Sequence, residues 1–257
     1  MLEQLKKHSS FITILFLITV TNALQSVIGN FLTPYLISLS INATWIGVLH
    51  ATLRVGSLVM ILPSGILSDK IQVRPLFIIG IVLSSLFFGG LLVSTSPWIL
   101  LLLFLIGGIG TTILLTVATT VFYKNIGEHK DTKGTVLEIG KNFVGALFTL
   151  VSGYAILLLS YQSIFFSALF VVLFFFLLFS FIPKHTTYQV QTEEYFKELK
   201  RKEVSFLLLF YGLYIFHAGG DSVSIPAIWK QELGFSTVQI GLLASIPILI
   251  LGTIGAW

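Results

Sequence analysis

The sequence predicts an all-α polytopic membrane protein, and three observations carry that prediction. The chain is 55% hydrophobic and only 10% charged, with a mean hydropathy of +0.96, whereas soluble domains carry about a quarter charged residues. Apolar stretches of roughly 20 residues recur, each long enough to cross about 30 Å of hydrocarbon. The connections between them alternate between charged and uncharged. A transmembrane β-barrel would show segments of about ten residues alternating in polarity, and the sequence has none. There is no cysteine, which excludes disulfides, zinc thiolates and cysteine nucleophiles. A net charge of +4 and a pI near 9.2 do not indicate nucleic acid here, because basic residues collect on cytoplasmic loops.

Eight spans follow in order: 11–39, 45–67, 75–93, 98–123, 136–159, 164–182, 204–228 and 237–257. The first runs well past the roughly 7–15 residues of a signal h-region and has no A-x-A-like exit, so it reads as a retained helix. The connections at 40–44, 94–97 and 160–163 carry no charge. Of the 15 Lys and Arg residues, all but Arg54 and Lys230 lie at the N-terminus or toward the other connections. That asymmetry predicts a cytoplasmic N-terminus and cytoplasmic charged loops, in an integral protein expected in the plasma membrane. The longest connection interleaves Glu194, Lys197, Glu198 and Lys200 with Tyr195, Phe196 and Leu199. It reads either as a short amphipathic helix at the interface or as a solvated linker.

The connection between spans 2 and 3 is short and charged: Gly65-Ile66-Leu67-Ser68-Asp69-Lys70-Ile71-Gln72-Val73-Arg74-Pro75. It resembles the loop between the second and third helices of major facilitator superfamily transporters, roughly G-x-L-[AS]-D-[RK]-x-G-[RK]-[RK]. Gly65, Leu67, Ser68, Asp69, Lys70 and Arg74 fit. Gln72 stands in place of the usual glycine and Val73 in place of a basic residue. The resemblance implies a six-helix N-terminal half over 1–183, a cytoplasmic linker over 184–203, and helices 7 and 8 of a second half over 204–257. It also implies that Asp69 helps latch the two halves in the outward-facing state; Asp69 can in addition meet Lys124. A truncated sequence is expected, because the chain stops at Trp257 inside an apolar span with no flanking charge; a natural eight-helix protein is the alternative.

An internal repeat fits the same plan. Gln25…Pro34…Ile46-Gly47 on spans 1 and 2 is echoed by His217…Pro226…Ile240-Gly241 on spans 7 and 8. Two halves in parallel arrangement are expected from it.

Polar groups inside the membrane are costly and therefore candidates for function. Span 1 places Asn22, Gln25, Ser26, Gly29 and Thr33 on one helical face, which would line an aqueous cavity or serve as interhelical hydrogen-bonding glue. Span 2 carries His50, Arg54 and Ser57 on one face. Span 7 carries Tyr214, His217, Asp221 and Ser224. Arg54 and Asp221 each lie about 14 Å from the uncharged loops at about 1.5 Å per residue, so an ion pair between them is expected, either proton-handling with His50 and His217 or purely structural. In span 4, Gly107-Gly108-Ile109-Gly110 replaces the family's glutamine-containing motif, and Phe104 stands where an arginine is usual. These glycines read as close-packing positions. Glu138 and Lys141 read as a surface pair.

No H-E-x-x-H, G-x-S-x-G or P-loop occurs, so neither an enzyme nor an ATPase is expected, and no cofactor is implied. The expectation is a secondary active transporter, symporter or antiporter, working by alternating access. Its partners would be a small solute, protons and the lipid bilayer. The rivals are a channel and a non-transporting membrane protein. Substrate identity stays open: Arg54 can attract an anion, while Tyr211, Tyr214 and Trp229 can stack a sugar or a hydrophobic compound.

Overall fold

The computed structural model describes residues 2–125, 130–178 and 192–254. The end of expected span 6 (179–182), the first part of the expected connection (183–191) and the end of expected span 8 (255–257) lie outside them. The described elements are α1 (Leu2–Ser38), α2 (Ala43–Lys70), α3 (Val73–Val93), α4 (Pro97–Asn125), α5 (Lys130–Leu158), α6 (Tyr161–Leu178), α7 (Thr192–Leu199), α8 (Lys202–Ala227) and α9 (Thr237–Ile254). A π-helical turn, Ile228–Glu232, ends α8. Among the described residues there is no strand. Seven of the helices are long and apolar enough to cross a membrane, and Thr237–Ile250 forms a shorter apolar helix. The elements therefore follow the expected spans, and the described part of the charged connection holds the short helix α7.

α4 packs between α2 and α3 and also touches α1; α6 lies on α3, α5 on α1, and α9 on α5. α8 rests against α1 and α2. The core is rich in phenylalanine: Phe77, Phe87, Phe88, Phe104, Phe122, Phe165 and Phe175 are fully buried. Lipid is as apolar as such side chains, so helices associate through close packing rather than through hydrophobic exclusion. The glycines of α4 supply that closeness. A Cβ on Gly108 would collide with the Leu53 carbonyl of α2, and one on Gly110 would lie 2.7 Å from the Ser84 nitrogen of α3. On α5, a Cβ at Gly153 would lie 2.6 Å from the Thr237 carbonyl, while the Thr237 hydroxyl donates to the Gly153 carbonyl at 3.0 Å.

The repeat is visible at the helix junctions. α1 ends through Ser40, at φ 59°, and Asn42 caps α2 by accepting from the Trp45 N–H at 2.9 Å. α8 and its π-turn end through Gly234, at φ 64°, and Ser236 stands before α9. There Ser236 and Gln239 form a reciprocal capping box: the Ser236 N–H donates to Gln239 Oε1 at 2.9 Å and the Gln239 N–H to Ser236 Oγ at 3.3 Å. In each junction a left-handed residue is followed two positions later by a cap, then by a buried isoleucine, Ile46 or Ile240. The extra length between Pro226 and Ile240 falls in the stretch that holds the π-turn.

Candidate functional site

Three helices bring polar groups together near the uncharged-loop end. Thr33 of α1 is fully buried, and its hydroxyl meets His50 Nε2 of α2 at 3.0 Å. The same hydroxyl approaches the Ser222 carbonyl of α8 at a longer 3.4 Å. His50 is only 3% exposed and lies edge-on to Phe104, with ring centroids 6.2 Å apart. Phe104 thus fills the side of the histidine that faces α4.

Arg54 sits one turn further along α2, toward the membrane interior. Its Nε is buried without a hydrogen-bond partner. It faces Gly219 of α8, where a Cβ would lie 3.6 Å from Arg54 Cγ and 3.8 Å from Nε. Tyr214 lies within electrostatic reach of the guanidinium.

The expected Arg54–Asp221 ion pair is not formed. Asp221 Oδ2 instead approaches His217 Nε2, one turn away on the same helix, at 3.4 Å, an ion pair when the imidazole is protonated. The reason is azimuth. Residues 219 and 221 differ by about 200° around a helix of 3.6 residues per turn, so Gly219 faces Arg54 while Asp221 faces the opposite way. His217 and Asp221 are substantially exposed, and Tyr214 and Ser224 share that open side.

The polar stripe of α1 divides between neighbours. Asn22 Nδ2 donates to the Lys141 carbonyl of α5 at 3.2 Å. Ser26 donates to the Asn22 carbonyl at 3.1 Å and lies beside Gly145 of α5. Gln25 is half-buried. Ser57 donates to the Leu53 carbonyl at 3.1 Å and to the Gly108 carbonyl at 3.3 Å. Glu138 pairs with Lys141 at 2.6 Å.

At the charged-loop end, Asp69 holds two partners. Lys124 Nζ of α4 lies 2.7 Å from Oδ1, and the same ammonium donates to the Ser68 carbonyl at 3.2 Å. The Tyr195 hydroxyl of α7 donates to Asp69 Oδ2 at 2.9 Å. Lys124 was expected; Tyr195 was not, although its place in an amphipathic stretch was the available signal. Ser222, which contributes a backbone carbonyl, left no signal in the sequence. Lys70 and Arg74 lie half-buried in the same loop region, and Gly65 has open space where a Cβ would stand.

Residues 14–257 match the sequence pattern of the Major Facilitator Superfamily, and the chain belongs to that family. Its fold is similar to that of nucleoside transporter NupG, at 17% identity with a TM-score of 0.70, covering 95% of this chain and 64% of that one. A mutant form of NupG aligns with a TM-score of 0.71 at 14% identity, over 96% of this chain and 64% of that one. The chain thus spans somewhat less than two thirds of the length of these solved structures. No curated protein sequence matches it significantly.

Proposed function

We propose that the protein is a secondary active transporter that moves a small solute across the membrane by alternating access, driven by protons. The observation that carries this reading is the junction of Thr33, His50 and Ser222, where polar groups from both ends of the internal repeat meet at one depth. In this reading residues 1–183 and 204–257 belong to two halves joined by 184–203, and the halves rock about that junction. The charged loops face the cytoplasm. Asp69, held by Lys124, is part of the cytoplasmic latch.

His217 and Asp221 are the proton carriers. A carboxylate with an imidazole one turn away can take up and release a proton as the exposed face of α8 meets water from either side. The chain itself performs no bond-breaking chemistry, and an ion gradient supplies the energy.

Reconstitution in liposomes tests the reading. An imposed proton gradient should drive saturable accumulation of a solute, with uridine among those tried, since NupG is a nucleoside transporter. Asp221→Asn should abolish uphill accumulation and leave solute exchange largely intact. Ohmic, non-saturable flux would indicate a channel. Uphill accumulation by Asp221→Asn would remove Asp221 from coupling.

A further inference from the structure

Three acidic groups of the described helices have partners that leave Arg54 aside. Asp221 has His217, Glu138 has Lys141, and Asp69 has Lys124 and Tyr195. Arg54 has no such partner among the described residues. Its guanidinium forms no hydrogen bond or ion pair with any described residue, and its Nε is sealed from solvent. A fixed positive charge inside hydrocarbon without a counter-charge is costly. The side chain is nonetheless given room, because position 219 of the facing helix is glycine. His50, one turn toward the uncharged end, is oriented by Thr33 and adds a polar neighbour rather than an acid.

We propose that Arg54 is the recognition group for an anionic substrate, a small solute bearing one carboxylate or phosphate, bound beside Gly219 at the junction of α1, α2 and α8. The proposal rests on the transporter reading of that junction and names its substrate class. Among the described residues, no negative charge is paired with Arg54 at the site. A neutral or cationic ligand would leave the guanidinium uncompensated, whereas a monoanion supplies the charge and accepts its N–H groups. With Nε sealed, the terminal nitrogens are the ones left to bind, a fork that suits a planar carboxylate. Gly219 lets the Arg54 stem lie against α8, which leaves the terminal nitrogens to reach such a group. Asp221 does not pair with Arg54; it engages His217.

Binding and flux are measured separately on the purified full chain. Binding is read as ligand-dependent thermal stabilisation in lipid-free detergent, with pyruvate, benzoate and inorganic phosphate as anions, uridine as the neutral probe and choline as the cation. At least one anion should stabilise saturably, and uridine and choline should not. Arg54→Gln should weaken that anion by about tenfold or more, the loss of a charge-assisted contact. Gly219→Asp places a built-in carboxylate against the guanidinium and should abolish the anion effect in a folded protein, which keeps the test informative if Arg54→Gln does not fold. Stabilisation by uridine or choline but by no anion overturns the proposal, and so does stabilisation by none of the probes. An anion effect that persists unchanged in Arg54→Gln or in Gly219→Asp also overturns it. Flux in liposomes then separates the two levels: an anion that binds through Arg54 but never crosses refutes transport alone, and saturable transport of uridine without anion binding refutes the anionic class alone.

Discussion

The two faces of α8 differ in kind, although the same few turns of helix build both. One face presents Gly219 and Ser222 to α2 and α1 and is half-buried, with Arg54 lying against the glycine. The other presents Tyr214, His217, Asp221 and Ser224 and stands open, with Tyr214 65% exposed. Membrane depth is shared between the faces; neighbours are not. The difference teaches that depth can be counted along a sequence, whereas pairing depends on which way a side chain points around its helix.

The largest expected effect comes from changing the packed face. Gly219→Leu drives a branched side chain into the place of the Arg54 stem, and overpacking of this kind costs typically about 1–3 kcal/mol. Its neighbour Gly220 has nothing within 4 Å of a would-be Cβ, so Gly220→Leu should change stability by about 0.5 kcal/mol or less. Unfolding temperatures of the two variants in detergent make the comparison directly. Equal losses would mean that α8 packs on both sides.

A second, smaller effect lies at the bond that ties α1 to α2. Thr33→Val keeps the shape and removes the hydroxyl that His50 meets at 3.0 Å. Interhelical hydrogen bonds in membranes average about 0.6 kcal/mol and reach about 1.7. A burial this complete places the loss toward the upper value. Thermal unfolding measures it, and a Thr33→Ser control should recover most of the stability.

Much of the architecture was legible before any coordinates. The spans, the charge asymmetry and the Gly65–Arg74 loop rest on local composition, and the helices follow them closely. The glycines of α4 mark packing positions in the sequence, and they lie against Leu53, Phe87 and Ser84. The Ser236–Gln239 capping box is present in the sequence as S-x-x-Q, a purely local signal. What stayed illegible needed three dimensions. Tyr195 reaches Asp69 from a helix more than a hundred positions away in the chain, and no spacing rule connects them. Asn22 and Ser26 belong to a polar stripe that predicts a cavity, but α5 meets part of it with Lys141 and Gly145. Arg54 and Asp221 share depth, and depth alone suggested a pair.

The smallest expected effect tests that last lesson. If Arg54 and Asp221 were paired, removing one partner would leave an uncompensated charge, at a cost of about 3–5 kcal/mol, and removing both would cost less than the sum. The geometry predicts the opposite. Asp221 engages His217, Arg54 faces Gly219, and the two charges do not meet. Sites without shared partners usually add to within about 0.3–0.5 kcal/mol. Thermal stabilities of Arg54→Leu, Asp221→Leu and the double variant should therefore be additive within that margin. A coupling clearly beyond it, of about 1 kcal/mol or more, would require α8 to rotate and bring Asp221 to Arg54 in another state of the protein. In that event the closed face and the open face of α8 would be two positions of one moving helix rather than a fixed division.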